Sequence, residues 1–156
     1  MLKSTKTIFL AATLATGAFM ANPAYAVASA YTPEGVCGTG FARVSDSSRP
    51  VKTPSGTVFG YVYLLYNRTT GFNCVTTIKS SFVGSSTYTS ARLETQTKRI
   101  KDEPAQTAVK QDGKGYKYYA GPVTLYAKGY CVKYWGVIQG GGQQASGGRN
   151  AWGNCG

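Results

Sequence analysis

From position 58 to 83 the chain reads VFGYVYLLY, then NRTTG, then FNCVTTIKSSFV, and this stretch constrains the fold more than any other. Val58 to Tyr66 is apolar on both faces, as expected of a central strand covered on each side. Asn67 to Gly71 is a five-residue connection ending on glycine, a hairpin signal. Phe72 to Val83 then returns rich in Thr, Val and Ile. No helical period stands out. Tyr88 to Thr97 alternates, with Ala91, Leu93 and Thr95 on one face and Arg92, Glu94 and Gln96 on the other. Tyr116 to Ala120 and Val123 to Lys128 read as two strands split by Gly121-Pro122, and Tyr130 to Ile138 as the last long one. Lys98 to Lys114, polar and broken by Pro104, reads as an exposed loop, and Gly140 to Gly148 as a flexible low-complexity loop. Short strands separated by turn signals predict one all-β domain, a small sandwich or barrel.

The N-terminus has the layout of a secretory signal peptide. Lys3 and Lys6 precede a 13-residue run, Ile8 to Met20, of apolar or small residues, and Pro23 follows ahead of Ala24-Tyr25-Ala26. The run falls short of the roughly 20 residues needed to cross a bilayer. The expected organisation is a cleaved segment 1–26, with Ala28-Ser29-Ala30 as a second cleavage position, followed by a secreted β-rich domain over 31–156. Cleavage after Ala26 leaves 130 of 156 residues and, with Lys3 and Lys6 gone, lowers the net charge from +11 to +9. No later apolar run is long enough to span a membrane.

All four cysteines, Cys37, Cys74, Cys131 and Cys155, lie beyond that segment. An even count in an exported chain implies a disulfide framework. Gaps of 37, 57 and 24 residues do not match the paired Cys-x2-4-Cys spacing of a four-thiolate zinc site. Three connectivities are open; short loops close most easily, which favours Cys37–Cys74 with Cys131–Cys155.

The chain has no histidine, which removes the commonest general base and metal ligand. A Ser-His-Asp or Cys-His hydrolase is thereby excluded. The six carboxylates, Glu34, Asp46, Glu94, Asp102, Glu103 and Asp112, read as solvated surface charge. No Ser-x-x-Lys motif follows the signal segment, and the glycines at 140–142 and 147–148 form no phosphate loop. No catalytic residue, cofactor or metal is expected.

Several segments taken in order carry a family resemblance. They are Tyr31 to Gly38, Val62 to Asn67, Gly71 to Thr76, Tyr116 to Val123, Ala127 to Val132, Trp135-Gly136 and the terminal Cys155-Gly156. Together with the four cysteines they resemble the spore-associated protein A family of streptomycetes and related actinobacteria. The resemblance implies a small secreted protein of aerial hyphae and spores, without an established catalytic activity. In such a setting Asn67-Arg68-Thr69 is turn chemistry rather than a glycosylation site.

The excess of 17 Lys and Arg over 6 Asp and Glu points to an anionic partner. Lys98, Arg99, Lys101, Lys110, Lys114 and Lys117 cluster beside Tyr116 and Tyr118, making this the expected contact surface. Anionic cell-wall polymer or spore-surface components are the expected partners; no nucleic-acid module is present. The leading expectation is a surface protein of structural or binding type. Two others are kept: a secreted inhibitor or antagonist presenting a braced loop, and a hydrolase using Asp46 and Glu94 side by side in a cleft.

Overall fold

The computed structural model describes residues 30–98 and 106–156. The signal segment 1–26 and the basic positions Arg99 and Lys101 lie outside the described residues. One five-residue helix, α1 (Pro33–Cys37), precedes nine strands. These are β1 (Ala42–Arg43), β2 (Arg49–Lys52), β3 (Val58–Tyr66), β4 (Phe72–Lys79), β5 (Thr87–Lys98), β6 (Gln106–Tyr116), β7 (Tyr119–Tyr126), β8 (Val132–Gly140) and β9 (Gln143–Gly153). They form one antiparallel sheet in the order β6-β5-β8-β9-β2-β3-β4-β7, with β1 paired to β3. The sheet rolls into a nearly closed barrel, whose seam lies between β6 and β7.

The β3–β4 hairpin is as the sequence predicts. Tyr66 pairs with Asn73, and Gly71 turns at φ +76°. Asn67, buried, accepts from the amides of Thr69 and Thr70 at 3.0 Å each. The sequon asparagine thus serves the turn. Val62 and Leu64 of β3 face Val75 of β4, Ala91 and Leu93 of β5, Val123 of β7 and Val132, Tyr134 and Ile138 of β8 in one core. The alternation in β5 is borne out, since Ala91, Leu93 and Thr95 are buried while Arg92 is exposed.

The outer face of β3 and β4 is covered by α1. Thr32 caps it, accepting from the Gly35 amide at 3.0 Å, and Pro33 opens its first turn. The Cys37–Cys74 disulfide fastens this helix over Leu65, and Phe41 and Tyr63 pack alongside. The second disulfide, Cys131–Cys155, ties the C-terminus to the start of β8.

Three stretches differ from expectation. Much of the expected loop Lys98 to Lys114 is strand, because β6 pairs with β5 from Thr87↔Tyr116 to Lys98↔Gln106. The expected loop Gly140 to Gly148 is a hairpin. Gly141 and Gly142, at φ +56° and +73°, make its two-residue turn. Gly147 then lets β9 approach β2: a Cβ there would stand 2.9 Å from the Pro50 carbonyl carbon. Glycine here permits close strand packing. Lastly, Tyr116 closes β6 while Gly121-Pro122 lies within the single strand β7, where the register against β4 shifts between Val75 and Thr77. An edge strand tolerates proline because no further strand forms a ladder along its outer side.

Lys79 closes one end of the barrel. It is 1% exposed on the core face of β4. Its ammonium donates to Ser85 O and Thr87 Oγ1 at 2.8 Å and to Tyr116 O at 3.1 Å. Burial pushes its pKa below the usual lysine range. Three oxygens from the β4–β5 connection, β5 and the end of β6 are gathered by one cation.

Candidate functional site

Antiparallel partners directly opposite each other share a face of the sheet. Lys110, Asp112 and Lys114 stand opposite Leu93, Ala91 and Thr89, all three buried. They therefore occupy the core-side face of β6. Lys110 and Lys114 are nonetheless exposed, because β6 is the last strand before the open seam. Asp112 uses that position to reach across. Its Oδ2 accepts from the Gly121 amide of β7 at 2.8 Å, and its Oδ1 accepts from the Tyr116 hydroxyl at 2.5 Å. Burial first, and then this hydrogen bond and charge, push the Tyr116 phenol up to about 12.

The expected basic surface is thus partly assembled along the seam. Lys114 Nζ stands 5.1 Å from the centre of the Tyr116 ring. Lys117 is exposed in the turn between β6 and β7, next to Tyr118, which is 39% exposed and stacks on Tyr31 at 5.3 Å. Lys110, Lys114 and Lys117 form no ion pair within the described residues. Four arginines are paired with carboxylates: Arg43 with Glu34, Arg92 with Glu94, and Arg49 and Arg149 with the single Asp46.

Asp46 and Glu94 stand in different surroundings. Asp46 takes hydrogen bonds from Asn154 at 3.2 Å, Arg49 at 3.5 Å and Arg149. Burial would raise its pKa, but Asn154, Arg149 and Arg49 outweigh that and hold it below the usual carboxylate range. Tyr134 seals the position from inside by donating to Asp46 O at 2.7 Å. Glu94 points outward from β5, paired with Arg92 at 3.5 Å. Each carboxylate is engaged by its own arginine partners, and the two share no hydrogen bond. Among the described residues no group of His, Cys, Asp and Glu is placed to hold a metal ion. Nor is any helix there long and apolar enough to cross a membrane.

One cluster escaped sequence reasoning. A groove of about 280 Å³ on the outer face of β5, β8 and β9 is lined by Arg92, Glu94, Lys133, Trp135 and Asn150, among others. The signal was present in the alternation of Val132 and Tyr134, which are buried, with Lys133 and Trp135, which are not. What joins them to Arg92 is the register of β5 on β8, which no local pattern reveals.

The chain is 38% identical over 104 residues to spore-associated protein A of Streptomyces coelicolor. The chain belongs to a spore-associated protein A-like family. The match covers 67% of this chain, and the chain spans 57% of that relative's length. No family model and no solved structure matches the spore-associated protein A-like chain.

Proposed function

We propose that the protein is a secreted, non-catalytic component of the spore or cell surface that holds anionic envelope polymer by charge. The observation that carries this reading is the row of exposed lysines along the seam, Lys110, Lys114 and Lys117, which form no ion pair among the described residues. Cations with no ion-pair partner among the described residues are available to a polyanion, whereas Arg43, Arg49, Arg92 and Arg149 are each paired with a carboxylate. The name of the Streptomyces relative supports a spore-associated role, and two disulfides suit an oxidising, extracellular setting. The carboxylates of the described residues add support for a non-catalytic protein, because Glu34, Asp46, Glu94 and Asp112 are each committed to an arginine, a tyrosine or a backbone amide.

Sedimentation with purified cell wall tests the proposal. The protein is expected to pellet at low salt and to be released at high salt. The Lys110→Gln/Lys114→Gln/Lys117→Gln variant is expected to stay in the supernatant at both. Absence of binding at every salt concentration refutes the reading. Salt-resistant retention of one enzyme from culture supernatant would favour an antagonist instead.

A further inference from the structure

We propose that the groove on the outer face of β5, β8 and β9 binds an acidic sugar, with Trp135 as the stacking platform and Arg92 and Lys133 as the cations for its carboxylate. The site is separate from the seam lysines, none of which lines it. Trp135 is 36% exposed, high for a side chain of that size in a small β domain. Its position is set by the register. Directly opposite it stand Arg92 on β5 and Gly148 on β9. A Cβ at Gly148 would come within 2.8 Å of Trp135 Cε3, so the missing side chain lets the indole lie down against β9. A large aromatic face set into a shallow groove suits the C–H face of a sugar ring.

The polar groups around the indole converge on the same space. Arg92 is held towards Glu94 at 3.5 Å by an exposed pair, which is weak enough to be exchanged for a ligand carboxylate. Glu94 stands opposite Lys133, whose Nζ rests 4.3 Å from the centre of the Trp152 ring. Stacking of this kind orders a lysine without neutralising it. Asn150 adds an amide for sugar hydroxyls. Arg92 and Lys133 therefore face the groove against one carboxylate, Glu94, with a third cation, Arg149, held at its wall by Asp46, and a neutral sugar would use only the platform. The volume, about 280 Å³, lies at the small end for ligand clefts and fits one ring better than an extended chain.

Both tryptophans of the chain are at the groove or beside it, so intrinsic fluorescence reports occupancy directly. The probe is a hyaluronate tetrasaccharide, which alternates glucuronic acid with N-acetylglucosamine; neutral chitotetraose is its comparison. The acidic probe is expected to shift the emission and to bind about tenfold tighter than the neutral one. Arg92→Gln and Lys133→Gln are each expected to weaken it about tenfold. Trp135→Ala should abolish binding by calorimetry while Trp135→Phe retains part of it; all three side chains reach the surface, and circular dichroism confirms folding. The Lys110→Gln/Lys114→Gln/Lys117→Gln variant is expected to bind the tetrasaccharide unchanged, which separates this site from the seam. Equal affinity for both sugars, no binding at millimolar concentration, or binding unaffected by Trp135→Ala would each overturn the assignment.

Discussion

Asp112→Ala removes a side chain that bridges the two edges of the sheet. Two hydrogen bonds to a carboxylate are lost, to the Gly121 amide at 2.8 Å and the Tyr116 hydroxyl at 2.5 Å. Bonds to a charged group contribute about 1.5–3 kcal/mol each, but both ends are only half-buried, so water replaces part of the loss. The expected cost is about 2–3 kcal/mol, which for a domain of this size lowers Tm by about 6–15 °C. Two local readouts distinguish a broken seam from general weakening. The Gly121 amide should lose hydrogen-exchange protection ahead of the β3–β4 amides. The Tyr116 phenol, held at about 12 by burial, Asp112's hydrogen bond and its charge, should titrate earlier; Tyr116→Phe identifies its contribution in the ultraviolet titration. Asp112→Asn keeps one acceptor and should fall between. An unchanged Tm with full Gly121 protection would refute the reasoning.

Lys79→Met is expected to destabilise by about 2–4 kcal/mol in urea unfolding, because Ser85 O, Thr87 Oγ1 and Tyr116 O lose their shared donor inside the barrel. Asp46 titrates lower in the folded than in the unfolded chain, so its contribution is complete above about pH 4 and is lost as pH falls through the folded value. Asp46→Asn should therefore flatten the acid limb of Tm against pH without adding a new transition near neutrality. Replacing Cys37 and Cys74 together by Ser should cost about 4 kcal/mol for a loop of 37 residues, read as a lower urea midpoint.

The strands that sequence reasoning located are those whose own residues carry the period. Val58 to Tyr66 and Tyr88 to Thr97 alternate or saturate with apolar groups, so burial and pattern coincide. β6 was missed because QTAVKQDGKGY has low β-propensity; it is strand only because β5 presents a full ladder to it. Gly113 there also makes room, since a Cβ would stand 2.8 Å from the Tyr88 hydroxyl. The glycines of β9 misled in the same way. They read as flexibility but serve close approach to Pro50 and Trp135. The basic residues were found as a composition cluster, while their alignment along a seam needed the register. Of the groove only the outward position of Lys133 and Trp135 was legible, because Arg92, Lys133 and Asn150 come from three strands brought together only by pairing.

The affinity for purified teichoic acid as a function of salt tests the central claim most directly. If Lys110, Lys114 and Lys117 bind by displacing counterions as cations do on nucleic-acid polyanions, affinity should fall about 20- to 40-fold between about 50 and 200 mM salt. The variant lacking those three charges should show a nearly flat line. A wild-type affinity indifferent to salt, or a variant that keeps the full slope, would contradict a surface protein that acts through its seam lysines.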